Sequence, residues 1–133
     1  MLPHLIEEAI HMGLSGHVTF TGYIPDEDLV RLYNMADVYV LPSVSEPFGI
    51  TVLEAMAART PVIVSKTSGV SEVIRHCFKV DFWDTKEMAN KIISILEHEP
   101  LKKCITKNAE KEASKFDWKE VAKQTIKVYR ELM

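Results

Sequence analysis

Lysine and arginine are absent from the first 30 residues of this chain, and long apolar runs are absent from all 133 residues. No run approaches the roughly 20 apolar residues that a helix needs to cross a bilayer. The opening residues, MLPHLIEEAIHMG, carry two carboxylates and no basic n-region, which predicts that no signal peptide is present. With 47% hydrophobic residues, the chain is predicted to form one globular, cytoplasmic domain over residues 1–133.

Cysteine is scarce as well. Cys77 and Cys104 lie 27 positions apart, and neither has a CxxC partner. This spacing fits a reduced cytosolic protein better than a disulfide. The five histidines show no spacing typical of metal ligands. We therefore predict no metal site and no cofactor.

Positive charge is concentrated at the end of the chain. Residues 102–133 contain nine Lys and Arg against five Asp and Glu, whereas residues 1–101 contain seven against fourteen. Lysines recur at positions 103, 107, 111, 115, 119, 123 and 127, which keeps this lysine stripe near one helical face. A solvated face explains the stripe; the alternative is an anionic partner such as a membrane surface. Because the rest of the chain is acidic, we predict no nucleic-acid binding.

Short apolar runs alternate with helical patterns along the chain. Runs bounded by Gly, Pro or Asp predict strands at residues 17–23, 37–43, 60–66 and 78–82. Amphipathic patterns predict helices near residues 3–12, 26–35, 50–58, 69–75, 85–97, 100–115 and 118–132. This alternation predicts an α/β fold, with a Rossmann-like parallel sheet of about four strands and helices on both faces. The second and third strands are expected to be central and buried on both faces.

In such a sheet, ligands bind at the carboxyl ends of the strands. The loop after the second predicted strand opens the most informative segment, PSVSEPFGITVLEAMAARTPVIVS at residues 42–65. Glu46 lies in this loop, and Gly49 permits a sharp turn into the helix that follows. The N–H groups expected to be free for an anion at the helix start belong to Phe48, Gly49 and Ile50.

Glu54 lies more than one turn into the same helix. Its two carboxylate oxygens are expected to accept both hydroxyls of a vicinal diol, as ribose presents them. A diphosphate at the helix start, a ribose beside Glu54 and a sugar near Glu46 would form one continuous ligand. The segment therefore predicts a site for a nucleotide sugar.

The pattern E-P-F-G-x-x-x-L-E-A-M-A followed by T-P-V-I resembles the signature of retaining GT-B glycosyltransferases, notably family four, of the group 1 type. The resemblance continues through VTFTGYIPDEDLVRLYNMADVYVLPS before it, and through SGVSEVI, F-x-W and VYRELM after it. It implies the C-terminal, donor-binding domain of such an enzyme, truncated at its N-terminus, with residues 116–133 crossing back to the acceptor domain. The implied reaction moves a hexose from a nucleoside-diphosphate sugar to a glycan or lipid acceptor, with retention and without a metal.

The resemblance also implies roles for individual residues. Glu46 is the catalytic residue that contacts the donor sugar near its reacting carbon, and Glu54 binds the ribose. The other implied substrate-binding residues are Phe48, Gly49, Ile50, Tyr23, Ile24 and Ser43. Among these, Tyr23 and Ile24 are expected near the nucleobase, and the three amides near the phosphates.

Some positions depart from the family pattern. Arg59 stands at a helix C-terminus where relatives carry glycine, which puts the turn geometry in question. Lys66 is either a phosphate ligand or a solvated lysine at a strand end. The Arg and Lys that hold the diphosphate in relatives, and the acceptor domain, are not found in residues 1–133. We therefore expect the parent to be an enzyme and this chain alone to be inactive.

Two other functions share these features. The chain is alternatively a non-catalytic module or subunit that binds nucleotide sugars. A sugar-nucleotide epimerase has the same overall architecture, but the Glu-x7-Glu pattern with its F-x-W tail argues against it. Coding sequence upstream of Met1 for a second Rossmann-like domain would favour the transferase.

Overall fold

The computed structural model describes residues 2–132, so the two terminal methionines of the predicted domain lie outside the described residues. Within this range the helices are α1 (Leu2–His11), α2 (Asp26–Met35), α3 (Ile50–Ala57), α4 (Val70–Val73), α5 (Thr85–Glu97), α6 (Glu99–Ala113) and α7 (Trp118–Glu131). The strands are β1 (Tyr39–Leu41), β2 (Val62–Ser65) and β3 (Phe78–Val80).

The three strands form one parallel sheet in the order β1-β2-β3. Helices cover both faces, as predicted. On one face, residues of α2, α3 and α6 pack against Val62 and Val64; on the other, α5 packs against Ile63 and Val80. Because successive side chains of a strand point to opposite faces, all four residues of β2 are buried. The predicted α/β class is confirmed.

Two details of the predicted sheet are wrong. Residues 17–23 form no strand, and β1 lies at the edge of the sheet instead of its centre. Accordingly, β1 is only half-buried. An apolar run qualifies a segment for a strand, but the strand forms only where a neighbour supplies hydrogen-bonding partners. Among residues 2–132 no segment pairs with 17–23 or with the outer edge of β1.

The end of α3 shows how Arg59 replaces a glycine. Arg59 has a φ of 61°, in the left-handed region. The N–H of Thr60 donates to the Ala55 carbonyl at 2.9 Å, and that of Arg59 to the Met56 carbonyl at 3.1 Å, which completes a Schellman motif. The Arg59 guanidinium lies 2.9 Å from the Glu110 carboxylate on α6. The left-handed turn expected at this position is therefore formed by Arg59, at a conformational cost that the exposed ion pair offsets in part.

Glu112 of α6 is a buried carboxylate that connects this helix to the segment between α4 and β3. It accepts hydrogen bonds from the N–H groups of Arg75 and His76 at 2.9–3.0 Å, and its Oε2 lies 3.0 Å from Nδ1 of His76. Burial by itself raises the pKa of the Glu112 carboxyl. The hydrogen bonds from His76 and Arg75 outweigh burial and hold that pKa below its ordinary value.

Glu112→Gln is expected to lower the free energy of unfolding at neutral pH by about 2 kcal/mol, because the N–H groups of Arg75 and His76 lose a charged acceptor. A carboxyl whose pKa is lowered by folding stabilises the fold above its unfolded pKa, about 4.3. That contribution is lost as the pH falls through the folded value. In urea denaturation, the stability advantage of the wild type over Glu112→Gln should therefore be complete near neutral pH and shrink as the pH falls below about 4.3.

Glu110, a half-buried residue two positions before Glu112 on the same helix, serves as the control, because its ion-pair partner Arg59 is exposed. Glu110→Gln is expected to change stability much less, since exposed ion pairs contribute little. If the difference in the free energy of unfolding between the wild type and Glu112→Gln stayed constant across the acidic range, the role assigned to the buried carboxylate would be wrong.

Candidate functional site

The candidate site lies at the carboxyl edge of the sheet, where the loop after β1 meets the loop after β2. The N–H of Gly69 donates to the Glu46 carbonyl at 2.9 Å, and the N–H of Val70 donates to the Phe48 carbonyl at 2.7 Å. A Cβ at Gly69 would lie 2.1 Å from the carbonyl oxygen of Pro47. Only glycine permits this approach, which fixes the backbone of Glu46.

Gly49 turns the chain from this loop into α3. Its φ of 94° is left-handed, and a Cβ there would meet side chains of Leu41 and Val70 at 3.2–3.3 Å. The backbone N–H groups at the turn donate to no acceptor among residues 2–132; they belong to Phe48, Gly49, Ile50 and Thr51. Free N–H groups and the positive end of the helix dipole make this turn suitable for a phosphate group.

Glu54 is exposed on α3, and its Oε2 accepts a hydrogen bond from the Tyr33 hydroxyl at 3.2 Å. Burial, Tyr39 and Glu54 raise the pKa of the Tyr33 phenol, so its hydroxyl remains a donor. Because each carboxylate oxygen can accept more than one hydrogen bond, this bond leaves both oxygens able to accept a further donor, and the binding of a diol by Glu54 stays a prediction. Sequence reasoning missed Tyr33. Its place four residues after Leu29 on the apolar face of a helix, with a polar tip, was the available signal.

The neighbouring polar residues are already engaged within the protein. Nζ of Lys66 lies 2.7 Å from Oδ2 of Asp81, so its ammonium faces a carboxylate after β3. Of the two interpretations of Lys66, the lysine at a strand end is the one that the geometry supports. The Ser43 carbonyl accepts a hydrogen bond from the Thr67 hydroxyl at 3.2 Å, which links the first two loops.

Two cavities flank Glu54. One of about 540 Å³ lies between α3, α6 and α7, and its walls are mostly apolar. The other, of about 470 Å³, lies between α2 and α3. Glu54 lines both cavities, Phe48 and Ile50 line the larger, and Tyr33 lines the smaller. The predicted site residues that line neither of these two cavities are Glu46, Gly49, Ser43, Tyr23 and Ile24.

No group of His, Cys, Asp and Glu in residues 2–132 is arranged to hold a metal ion. Cys77 and Cys104 are free thiols. Over the same residues, every helix is too short or too polar to span a bilayer.

Comparison with known proteins places this geometry in a family. Residues 3–112 match the family described as Glycosyl transferases group 1. An uncharacterized glycosyltransferase of Methanocaldococcus jannaschii is 37% identical over 98% of the chain, which covers 34% of that protein. Sucrose-phosphate synthase from Thermosynechococcus elongatus superimposes on 98% of the chain with a TM-score of 0.88 and 34% identity, over 34% of its own chain.

HepE of Anabaena, solved in complex with UDP and glucose, superimposes on 98% of the chain with a TM-score of 0.90 and 27% identity. The chain covers 36% of that structure, and it spans about a third of the length of the relatives it matches. The family match over residues 3–112 and these similarities agree with the pattern around Glu46 and Glu54. The chain belongs to the group 1 family of glycosyltransferases.

Proposed function

We propose that this chain binds a nucleoside-diphosphate sugar and forms the donor-binding part of a retaining glycosyltransferase. The left-handed turn at Gly49 carries this proposal, because it places free N–H groups at the start of α3, between Glu46 and Glu54. The N–H groups suit a diphosphate, and the two carboxylates suit the hydroxyls of a sugar and a ribose. The complex of HepE with UDP and glucose supports a donor of this class.

The whole enzyme is proposed to move a hexose to a glycan or lipid acceptor, without a metal, as the family resemblance implies. Transfer requires that the negative charge developing on the leaving diphosphate be stabilised. The start of α3 supplies part of this stabilisation, whereas Lys66 is paired with Asp81. Residues 1–133 by themselves are therefore proposed to bind the donor weakly and to transfer no sugar. An acceptor-binding domain of the whole enzyme completes the cleft and excludes water.

Glu54→Ala is expected to raise the Kd for a nucleoside diphosphate at least about tenfold, because the ribose loses a charged hydrogen-bond acceptor worth about 1.5–3 kcal/mol. NMR titration of the 133-residue chain with UDP, GDP and ADP identifies the nucleotide that binds best. The Kd of the variant for that nucleotide is then compared with the Kd of the wild type. Glu97→Ala, at the exposed end of α5, serves as the control and is expected to leave this Kd unchanged. An unchanged Kd in Glu54→Ala would contradict the proposal.

We further propose that α7 crosses to the acceptor-binding domain. None of its residues is buried; Trp118 and Tyr129 on its apolar side are 75% and 64% exposed, and Leu132 directly after the helix is 81% exposed. An amphipathic helix of this kind has an apolar face that another surface covers.

By helical periodicity the lysines of α7 at 119, 123 and 127 lie on the side opposite its apolar residues, where they suit an anionic membrane on the cytoplasmic side. The fraction of protein that sediments with vesicles should be larger for anionic than for neutral vesicles. Equal fractions would contradict this membrane contact.

A further inference from the structure

The Tyr33 side chain is held rigidly beside the site. It is only 5% exposed and belongs to the core cluster between the sheet and the helices α2, α3 and α6. Its ring packs edge-on against Tyr39, with centroids 5.6 Å apart and ring planes at 78°. The Thr60 hydroxyl donates to the Tyr33 carbonyl, which fixes the end of α2 to the turn after α3. The phenolic hydroxyl is therefore a donor with a fixed position.

Glu54, in contrast, projects from α3 into solvent. Over residues 2–132, Tyr33 is the one hydrogen-bond donor to its carboxylate. A solvated glutamate samples many rotamers, and ordering it on binding costs conformational entropy. Because the hydrogen bond to Tyr33 forms when the protein folds, the Glu54 carboxylate is already ordered before the nucleotide binds. It also directs the carboxylate toward α2, since Tyr33 lines the cavity between α2 and α3 and not the larger one.

We infer that Tyr33 is a positioning residue for the nucleotide: its hydroxyl donates to Oε2 of Glu54 and so holds the carboxylate in the orientation that receives the ribose hydroxyls. This inference rests on the proposed function and extends it, because it says on which side of Glu54 the nucleoside lies. That side is the cavity of about 470 Å³ between α2 and α3.

A double-mutant cycle tests the coupling between Tyr33 and Glu54. The full 133-residue chain is titrated by NMR with the best-binding nucleoside diphosphate and with its 2′-deoxy analogue. The cycle compares the wild type, Tyr33→Phe, Glu54→Ala and the double variant. Tyr33→Phe is expected to weaken ribonucleotide binding about fivefold and to reduce the preference over the 2′-deoxy analogue. In the Glu54→Ala background the same change should have no further effect.

The neighbouring tyrosine supplies a matched control. Tyr39→Phe removes a hydroxyl from the adjacent ring, but its partner is the Thr51 hydroxyl at 2.9 Å and not Glu54. This variant is expected to leave the Kd within about twofold of the wild type. Without ligand, carbon-13 relaxation of the Glu54 carboxyl should report greater motion in Tyr33→Phe and no change in Tyr39→Phe. Thermal denaturation verifies that both variants remain folded, since phenylalanine fills nearly the same volume.

The outcomes distinguish failure of the inference about Tyr33 from failure of the proposed function. Equal weakening by Tyr33→Phe with and without Glu54, or equal weakening by both tyrosine variants, would overturn the positioning role and leave the proposed function intact. A wild-type chain that binds none of the nucleotides, or whose binding is insensitive to Glu54→Ala, would remove the proposed function and the inference together.

Discussion

Gly69→Ala is expected to destabilise the protein by about 3 kcal/mol or more. The new Cβ would lie 2.1 Å from the Pro47 carbonyl oxygen and 2.9 Å from its carbon, and backbone atoms cannot rotate away. The two loops must separate, which breaks or lengthens the hydrogen bonds from Gly69 to Glu46 and from Val70 to Phe48. A domain of this size is stabilised by only about 5–15 kcal/mol, so the loss is a large fraction of the total.

Nucleotide binding is expected to fall in the same variant even where the protein stays folded, because this contact holds Glu46 and the start of α3 in place. Urea denaturation gives the free energy of unfolding, and NMR titration gives the Kd. Gly16→Ala is the control: no heavy atom lies within 4 Å of a Cβ there, and its backbone is not left-handed. Wild-type stability in Gly69→Ala, with spectral changes confined to residue 69, would refute the close approach of the two loops.

Glu46→Ala is expected to lower the turnover number of the whole enzyme about 100-fold or more, and to change the Kd for the nucleoside diphosphate less than about twofold. Glu46 is proposed to contact the donor sugar beside its reacting carbon, where charge develops during transfer. The diphosphate is instead proposed to bind the N–H groups after Pro47, which the substitution leaves in place. Glu46→Ala is therefore expected to weaken stabilisation of the transition state, whereas Glu54→Ala weakens binding of the nucleotide in the ground state.

Steady-state kinetics with a labelled donor measures the first quantity, and titration with the diphosphate measures the second. Glu46→Gln separates charge from hydrogen bonding, since the amide keeps an acceptor oxygen and loses the negative charge. The role assignment is wrong if Glu46→Ala weakens diphosphate binding as much as Glu54→Ala and leaves turnover unchanged. Transfer of sugar by residues 1–133 alone would likewise contradict the proposed need for an acceptor domain.

Several elements follow from local signals. The helices predicted at residues 26–35 and 85–97 have those bounds in the structure, as α2 and α5. Each combines an amphipathic repeat with polar residues at its start; the Asp84 side chain, for example, accepts a hydrogen bond from the Glu87 N–H at 2.9 Å. The turn at Gly49 was also predictable, because a left-handed residue before a helix favours glycine. The family pattern identified Glu46 and Glu54, although their roles remain predictions.

Contacts between residues that are distant in the chain could not be predicted from such local signals. The Tyr33 hydroxyl meets Glu54 across 21 positions, and Gly69 approaches Pro47 across 22. The strand predicted at 17–23 failed for the same reason that β1 lies at an edge, since pairing depends on a neighbour and not on the run itself. Composition, periodicity and capping residues are local, so they specify the class of fold, most of its elements and the helix that carries the two glutamates. The hydrogen bond between Tyr33 and Glu54, and the need for glycine at residue 69, depend on packing between elements, where small differences in distance determine which groups meet.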